Sequence, residues 1–379
     1  MIGKYLEIKS GFAFDSNLFN SEGKGLPLIR IRDVGKNKSE TYFSGSYSDD
    51  FIVRKGDLLV GMDGDFRISE WLGENSLLNQ RVCKVVPKDD KIDKKYLLYA
   101  LPKELKKIED STSFATVKHL SVKKINEIQI PLPPLEEQKR IAAILDAADL
   151  HRQKTKELIN KYDELAQALF LDMFGDPVTN PKGWEFVTLS KIIIEGPTNG
   201  LYKNSKDYGK GVKIVRIDAF HNCIVEISDL KRVQVENSEL KRFELIEGDF
   251  VINRVNSKTH LGKCGLIPNL NEPVVFESNM MRVRFIENLT NKYYMLKILS
   301  SKFIRNQILS SAKDSINQSS INQKDVNSFS IPLPPINLQD DFGRNLLAIE
   351  NQKSQAIQNL QKAEDLFQSL LQKAFKGEL

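Results

Sequence analysis

Histidine and cysteine, the side chains that most often bind metals or act as nucleophiles, are scarce here: four and three in 379 residues. Cys83, Cys223 and Cys264 lie far apart and unpaired. That pattern gives neither a disulfide framework nor a zinc-ligand spacing, and it suits a reducing cytosol. The phosphate-binding patterns Gly-x-x-x-x-Gly-Lys-Ser/Thr and Gly-x-Gly-x-x-Gly do not occur. Nor does the Asn/Asp-Pro-Pro-Tyr/Phe tetrad of enzymes that methylate amino groups of bases. Glu7-Ile8-Lys9 and Glu104-Leu105-Lys106 have a nuclease-like Glu-x-Lys spacing but lack the preceding Pro-Asp. The chain therefore reads as non-catalytic, with no metal or cofactor of its own. Its net charge, 55 − 50 = +5, permits a polyanionic partner without requiring one.

Length and composition describe what must position any site. At roughly 150 residues per domain, 379 residues suggest two domains and something extra, and 41% hydrophobic residues suffice for packed cores. Apolar runs such as Leu58-Leu59-Val60 and Ile192-Ile193-Ile194 are far shorter than the 18 or so residues of a membrane span, so a cytoplasmic protein is expected.

The chain repeats itself. Ile130-Pro131-Leu132-Pro133-Pro134 recurs 201 residues later as Ile331-Pro332-Leu333-Pro334-Pro335, and gapless register continues through Gln138/Gln339, Leu165/Leu366, Leu169/Leu370 and Phe174/Phe375. Upstream the echo loosens: Leu28-Ile29-Arg30-Ile31 matches Ile214-Val215-Arg216-Ile217, and Gly56-Asp57-Leu58 matches Gly248-Asp249-Phe250. Such drift is what diverged surface loops produce. After each Pro-Leu-Pro-Pro, which cannot continue a helix, comes a long helical run; the first is free of Gly and Pro until Gly175-Asp176-Pro177 stops it. One apolar stripe runs through Ile141, Ile144, Ala148, Thr155, Leu158, Tyr162, Leu165 and Leu169, and a second through Phe342, Leu346, Ile349, Ala356, Leu360, Ala363, Leu366 and Leu370. Each stripe is too narrow to fold alone, so the two arms are expected to pair antiparallel. The remaining segments mix short strands (28–34, 56–61, 81–86, 213–217, 248–252, 281–285) with helices (93–108, 291–311). The fold class is α+β: two similar globular domains separated by two long helices packed as an antiparallel coiled coil. The expected boundaries are 1–134, 135–175, 176–334 and 335–379.

Ile130-Pro131-Leu132-Pro133-Pro134-Leu135-Glu136-Glu137-Gln138-Lys139-Arg140-Ile141, the run from Leu169 to Val178, and Asn180-Pro181-Lys182-Gly183-Trp184 resemble the specificity subunit of type I restriction–modification enzymes. The resemblance covers nearly the whole chain. It implies two target-recognition domains, each reading half of a split sequence in double-stranded DNA, and helices that act as a ruler and docking platform. The implied partners are two methyltransferase subunits, carrying S-adenosylmethionine, and restriction/translocase subunits, using ATP and Mg2+. The complex would be a DNA adenine methyltransferase and a site-specific endonuclease. Two departures matter. The first half has no counterpart to Trp184-Glu185-Phe186-Val187-Thr188-Leu189, so its opening strand is trimmed or dispensable. The second helix opens Asn337-Leu338-Gln339-Asp340, implying a weaker grip there.

For a DNA reader, base edges are recognised by Arg or Lys at guanine and Asn or Gln at adenine, with Lys and Ser at phosphates. Equivalent loops in the two halves supply such groups: Lys9 and Ser10, Arg67, Gln80 and Arg81 in the first; Asn199, Lys203 and Asn204, Asn253, Arg254, Asn256 and Lys258 in the second. Arg30 and Arg216, inside apolar strands, are expected to form structural ion pairs instead.

Overall fold

In a computed structural model, residues 1–111, 118–219, 223–314 and 318–379 are described. The chain divides into two compact units, one of residues 1–156 with 358–379 and one of residues 157–357.

In the first unit the strands are β1 (Leu6–Ser10), β2 (Phe19–Asn20), β3 (Leu26–Ile29), β4 (Tyr42–Phe43), β5 (Ile52–Val53), β6 (Leu58–Gly61), β7 (Ile68–Glu70), β8 (Ser76–Leu78) and β9 (Val82–Pro87). They build an antiparallel sheet of order β1-β9-β6-β7 and a second sheet of order β2-β4-β3-β8-β5, in which β3 and β8 run parallel. Helices α1 (Lys94–Ser111) and α2 (Val122–Glu127) cover the first sheet, burying Leu97, Leu101, Leu105 and Ile125 with Leu58, Val60 and Val85. The opposite face of β6 sends Leu59 into a second core with Ile29, Val53, Trp71 and Leu78. Strand residues alternate between the two cores, the period-two pattern of a sheet packed on both sides.

The long helix α3 (Leu135–Phe174) has Glu136 and Glu137 in its first turn, where the helix dipole favours anions, and ends at Gly175, whose φ of +79° supplies the left-handed cap.

In the second unit the elements are β10 (Phe186–Thr188), β11 (Ile193–Asn199), β12 (Tyr208–Val215), β13 (Arg232–Val233), α4 (Asn237–Phe243), β14 (Phe250–Asn253), β15 (Val255–Asn256), β16 (Cys264–Leu266), β17 (Val274–Phe276) and β18 (Met280–Phe285). There follow α5 (Lys292–Leu299), α6 (Lys302–Ser311), β19 (Lys313–Asp314), β20 (Ser319–Ser320), α7 (Gln323–Ser328), β21 (Ser330–Pro332) and the second long helix α8 (Ile336–Lys376). The sheet β11-β18-β14-β16 repeats β1-β9-β6-β7, and the parallel pair β12·β17 repeats β3·β8. Added to that plan are the pair β10·β21 and the small sheet β15-β20-β19.

Three sequence expectations need correction. The run 28–34 is a strand only to Ile29: Asp33 accepts the Arg30 N–H at 2.9 Å and turns the chain into a 3-10 helix. Arg30 is consequently exposed, whereas Arg216 does form its ion pair, with Glu277 at 3.3 Å. The run 291–311 is two helices, because Ser301 caps a new one, accepting from the Ile304 N–H at 3.3 Å.

Within each unit, one long helix begins where the other ends. In the first, Ile141, Ala142 and Leu145 of α3 pack with Phe367 and Ala374 of α8, and Phe375 lies 5.5 Å from the Tyr96 ring. In the second, Phe342 and Leu346 of α8 pack with Ala166, Phe170 and Phe174 of α3, and Phe174 lies 4.8 Å from Tyr294. The pairing is therefore antiparallel. Ile141, Leu346, Ile144, Leu169, Ile349, Leu360 and Leu370 are buried or half-buried, but Leu158, Leu165 and Leu366 are 42%, 50% and 53% exposed. Thr155, Ala356 and Ala363 of the expected stripes are buried, but beside the three leucines the buried or half-buried positions fall one residue later, at Ile159, Ala166 and Phe367. Arg152 covers Phe367 with its guanidinium, 4.5 Å from the ring centroid.

Candidate nucleic-acid interface

The antiparallel order β1-β9-β6-β7 brings the C-terminal ends of β1 and β6 together with the N-terminal ends of β9 and β7. Three sequence-predicted segments of the first unit, at residues 9–14, 62–67 and 79–81, therefore meet at one end of one sheet. Backbone hydrogen bonds lock them: Met62 N–H to Arg81 O at 3.0 Å, Gln80 N–H to Phe12 O at 2.9 Å and Gly11 N–H to Val82 O at 3.0 Å. Gly11 is required, since a Cβ there would stand 2.1 Å from the Asn79 carbonyl oxygen. The second unit repeats two of these bonds: Arg254 N–H donates to Asn279 O at 2.8 Å and Gly200 N–H to Met280 O at 3.0 Å, and a Cβ on Gly200 would stand 2.2 Å from Glu277 O.

A fourth segment joins each end that the sequence reasoning did not select. Leu120 N–H donates to Met62 O at 2.7 Å, and Ile321 N–H to Arg254 O at 3.0 Å. The residues just before them, His119 and Ser320, bridge to Asp63 and Val255. The signal available was positional: residues 112–119 and 313–320 lie 201 residues apart, and each segment contains Lys and Ser.

The individual side chains differ in their freedom. In the first unit Ser10 and Gln80 are exposed, Lys9 is half-buried 3.9 Å from Glu7, and Arg67 is paired with Asp65. Arg81 is paired with Asp63 at 2.8 Å. In the second, Asn199 is exposed, while Lys203 is tied to Glu239 at 2.7 Å, and that hydrogen bond holds the Glu239 carboxyl below its usual range. Asn204 opens a 3-10 turn, its N–H donating to Asp207 at 3.2 Å. Arg254 donates to the Ser278 carbonyl at 3.2 Å, Asn256 accepts from the Ser257 N–H at 2.8 Å, and Lys258 is exposed. Asn253 is a correction: it ends β14 fully buried, with neither amide atom hydrogen-bonded, so it does not face a ligand. Its neighbour Val251 alternates into the same core, and the strand's period places residue 253 inside.

Each unit also carries a duplicated clamp at the start of its long helix. The Gln138 amide is buried: its oxygen accepts from Asp93 N–H at 3.0 Å, and its nitrogen donates to Lys91 O at 2.9 Å and Pro133 O at 2.8 Å. Gln339 repeats all three bonds with Asn291 N–H, Leu289 O and Pro334 O at 2.9, 3.0 and 2.7 Å. Tyr96 and Tyr294 donate to the carbonyls of Pro131 and Pro332 at 2.8 and 2.5 Å. The proline motif thus supplies carbonyls at a fixed geometry to a glutamine and a tyrosine, and the helix start is fastened to its domain.

Comparison with known proteins decides the family. The model of the type I restriction modification DNA specificity domain matches residues 2–161 and again 181–362. The chain belongs to that family. The EcoBI type I restriction enzyme specificity subunit of Escherichia coli is 30% identical over 98% of this chain and 84% of its own. The MjaVIII specificity subunit of Methanocaldococcus jannaschii is 25% identical over 85% and 79%. In fold, the type I S subunit from M. genitalium matches with a TM-score of 0.61 at 18% identity, over 99% of this chain and 94% of that one. The four-segment sheet end of this specificity subunit occurs once in each stretch that the family model matches. Among the described residues, no group of three or more His, Cys, Asp or Glu is placed to hold a metal, and no helix is long and apolar enough to cross a membrane.

Proposed function

We propose that this specificity subunit reads a bipartite, gapped sequence in double-stranded DNA, each unit reading one half-site with the loop end of its four-stranded sheet. The observation that carries this reading is the duplicated sheet end, where four loops rich in Arg, Lys, Asn, Gln and Ser converge without a catalytic constellation. Groups of those types make phosphate and base-edge contacts. The paired helices serve as the docking platform for two methyltransferase subunits, with restriction/translocase subunits joining for cleavage, in the cytoplasm. They also set the gap between the half-sites. In this reading the chain is non-catalytic. S-adenosylmethionine, ATP and Mg2+ belong to the partners, and no residue here is assigned to hold them.

The test is co-expression with a type I methyltransferase subunit, followed by mapping of methylated bases. A split motif with a fixed gap is expected. The purified chain should bind duplex DNA with an affinity that falls as salt rises, because phosphate contacts release counterions. Methyl transfer by the purified chain alone, or salt-insensitive binding, would overturn the proposal.

A further inference from the structure

At the loop end of the first unit, two half-exposed side chains share one seat. Asp63 Oδ2 lies 2.8 Å from Arg81 Nη1, and Asp63 Oδ1 lies 2.6 Å from His119 Nδ1. Asp63 is only 17% exposed, while Arg81 and His119 are 53% and 54% exposed. Both carboxylate oxygens are therefore engaged from below, and the free edges of the guanidinium and the imidazole face outward.

The chemistry of those edges follows. A carboxylate oxygen accepts, so the hydrogen shared with His119 sits on Nδ1, and in the imidazole's neutral form Nε2 is left as an acceptor. Arg81 keeps the rest of its five N–H donors. The pair thus presents donors next to an acceptor, held in one orientation. In the major groove a G·C pair offers two neighbouring acceptors, guanine N7 and O6, followed by the cytosine N4 amino donor; A·T offers acceptor, donor, acceptor and a methyl group. Only the first pattern complements two adjacent Arg donors beside a His acceptor.

We propose that Arg81 and His119 read one G·C base pair in the half-site of the first unit, with Asp63 as the positioning residue that aims them. The proposal rests on the DNA-reading function given above. The second unit cannot use this device. Its residues at the same backbone hydrogen bonds are Val255, Asn279 and Ser320, so the two half-sites are read by different groups.

The experiment uses the full chain with a methyltransferase subunit, bound to a library in which every position of the mapped motif is varied. Wild type should prefer G·C at one position of the half-site assigned to the first unit. Arg81→Ala should reduce discrimination at that position alone by on the order of 10- to 100-fold, with Arg81→Lys intermediate because Lys lacks the fork. Asp63→Asn should blur the same position to a smaller extent. On the wild-type protein, 7-deazaguanine at that position should weaken binding, and a cytosine analogue lacking the 4-amino group should lose its effect in His119→Phe. If the wild type reads a split motif but Arg81→Ala leaves every preference intact, or weakens all sequences alike as a phosphate contact would, this inference is wrong and the recognition function stands. If the wild type shows no sequence preference at all, the recognition function itself has failed. Should Arg81→Ala not fold, Arg81→Lys and the base analogues separate the same outcomes.

Discussion

The clamp and the loop end of each unit have changed to different degrees between the repeats. At the clamp, Gln138 and Gln339 make the same three hydrogen bonds, and Tyr96 and Tyr294 hold the same proline carbonyl. At the loop end several backbone bonds still recur, such as Met62 N–H to Arg81 O and Arg254 N–H to Asn279 O, but the side chains differ. The first unit neutralises Arg67 and Arg81 with Asp65 and Asp63, while the 253–263 segment of the second contains no carboxylate. Backbone geometry and side-chain chemistry are thus separable. A recognition surface can change its hydrogen-bonding groups without moving the helix that the clamp anchors.

The largest expected effect comes from exchanging one globular unit almost whole. Replacing residues 178–328 with the equivalent segment of another specificity subunit should abolish one half of the methylated motif and substitute a new one, leaving the other half intact. Mapping methylated bases in cells carrying the chimaera is the check. A change in both halves would mean that the units do not read independently.

Next come substitutions that attack the common framework. Phe342 is fully buried between Phe170 and Phe174, with ring centroids 5.7 and 5.2 Å away. Phe342→Ala should cost about 3–5 kcal/mol in denaturant unfolding, from lost burial plus the cavity left. Gln138→Leu and Gln339→Leu each strand one buried N–H and two carbonyls, at about 2–4 kcal/mol apiece. Because the geometries match, the two costs should agree within about 1 kcal/mol. A larger gap would show that the clamps are copies in form only.

How much was legible without coordinates depended on which physical signal was sharp. The gapless 201-residue register made the duplication, the proline-led helix starts and the antiparallel pairing readable. The three loop pairs were readable too, because glycines such as Gly11 and Gly200 mark where one backbone must approach another. Three things were not. The fourth segment, around His119 and Ser320, has polar residues but no turn signature. Asn253 reads as a loop donor until the strand is seen to extend one residue further. The coil phase was only partly legible: Thr155 and Ala363 lie on the expected stripes and are buried, but Ala166 carries little hydrophobic signal while the nearby Leu158, Leu165 and Leu366 stand in solvent.

That last point yields the smallest and sharpest test. Leu158, Leu165 and Leu366 look like seam residues by type, and Ala166 looks like a bystander. The structure reverses the assignment: the three leucines are 42%, 50% and 53% exposed, and Ala166 is completely covered among Phe170, Phe174 and Phe342. Replacing each leucine by Gln keeps a long helix-forming side chain and removes little buried area, so each change should stay within about 0.5 kcal/mol. Ala166→Leu adds three carbons to a filled site and should cost about 1–3 kcal/mol despite being a gain in hydrophobicity. Unfolding midpoints of the four variants decide between the two phases. Had the leucine stripe been the true seam, the order would invert, with Leu158→Gln and Leu165→Gln the damaging changes and Ala166→Leu nearly silent.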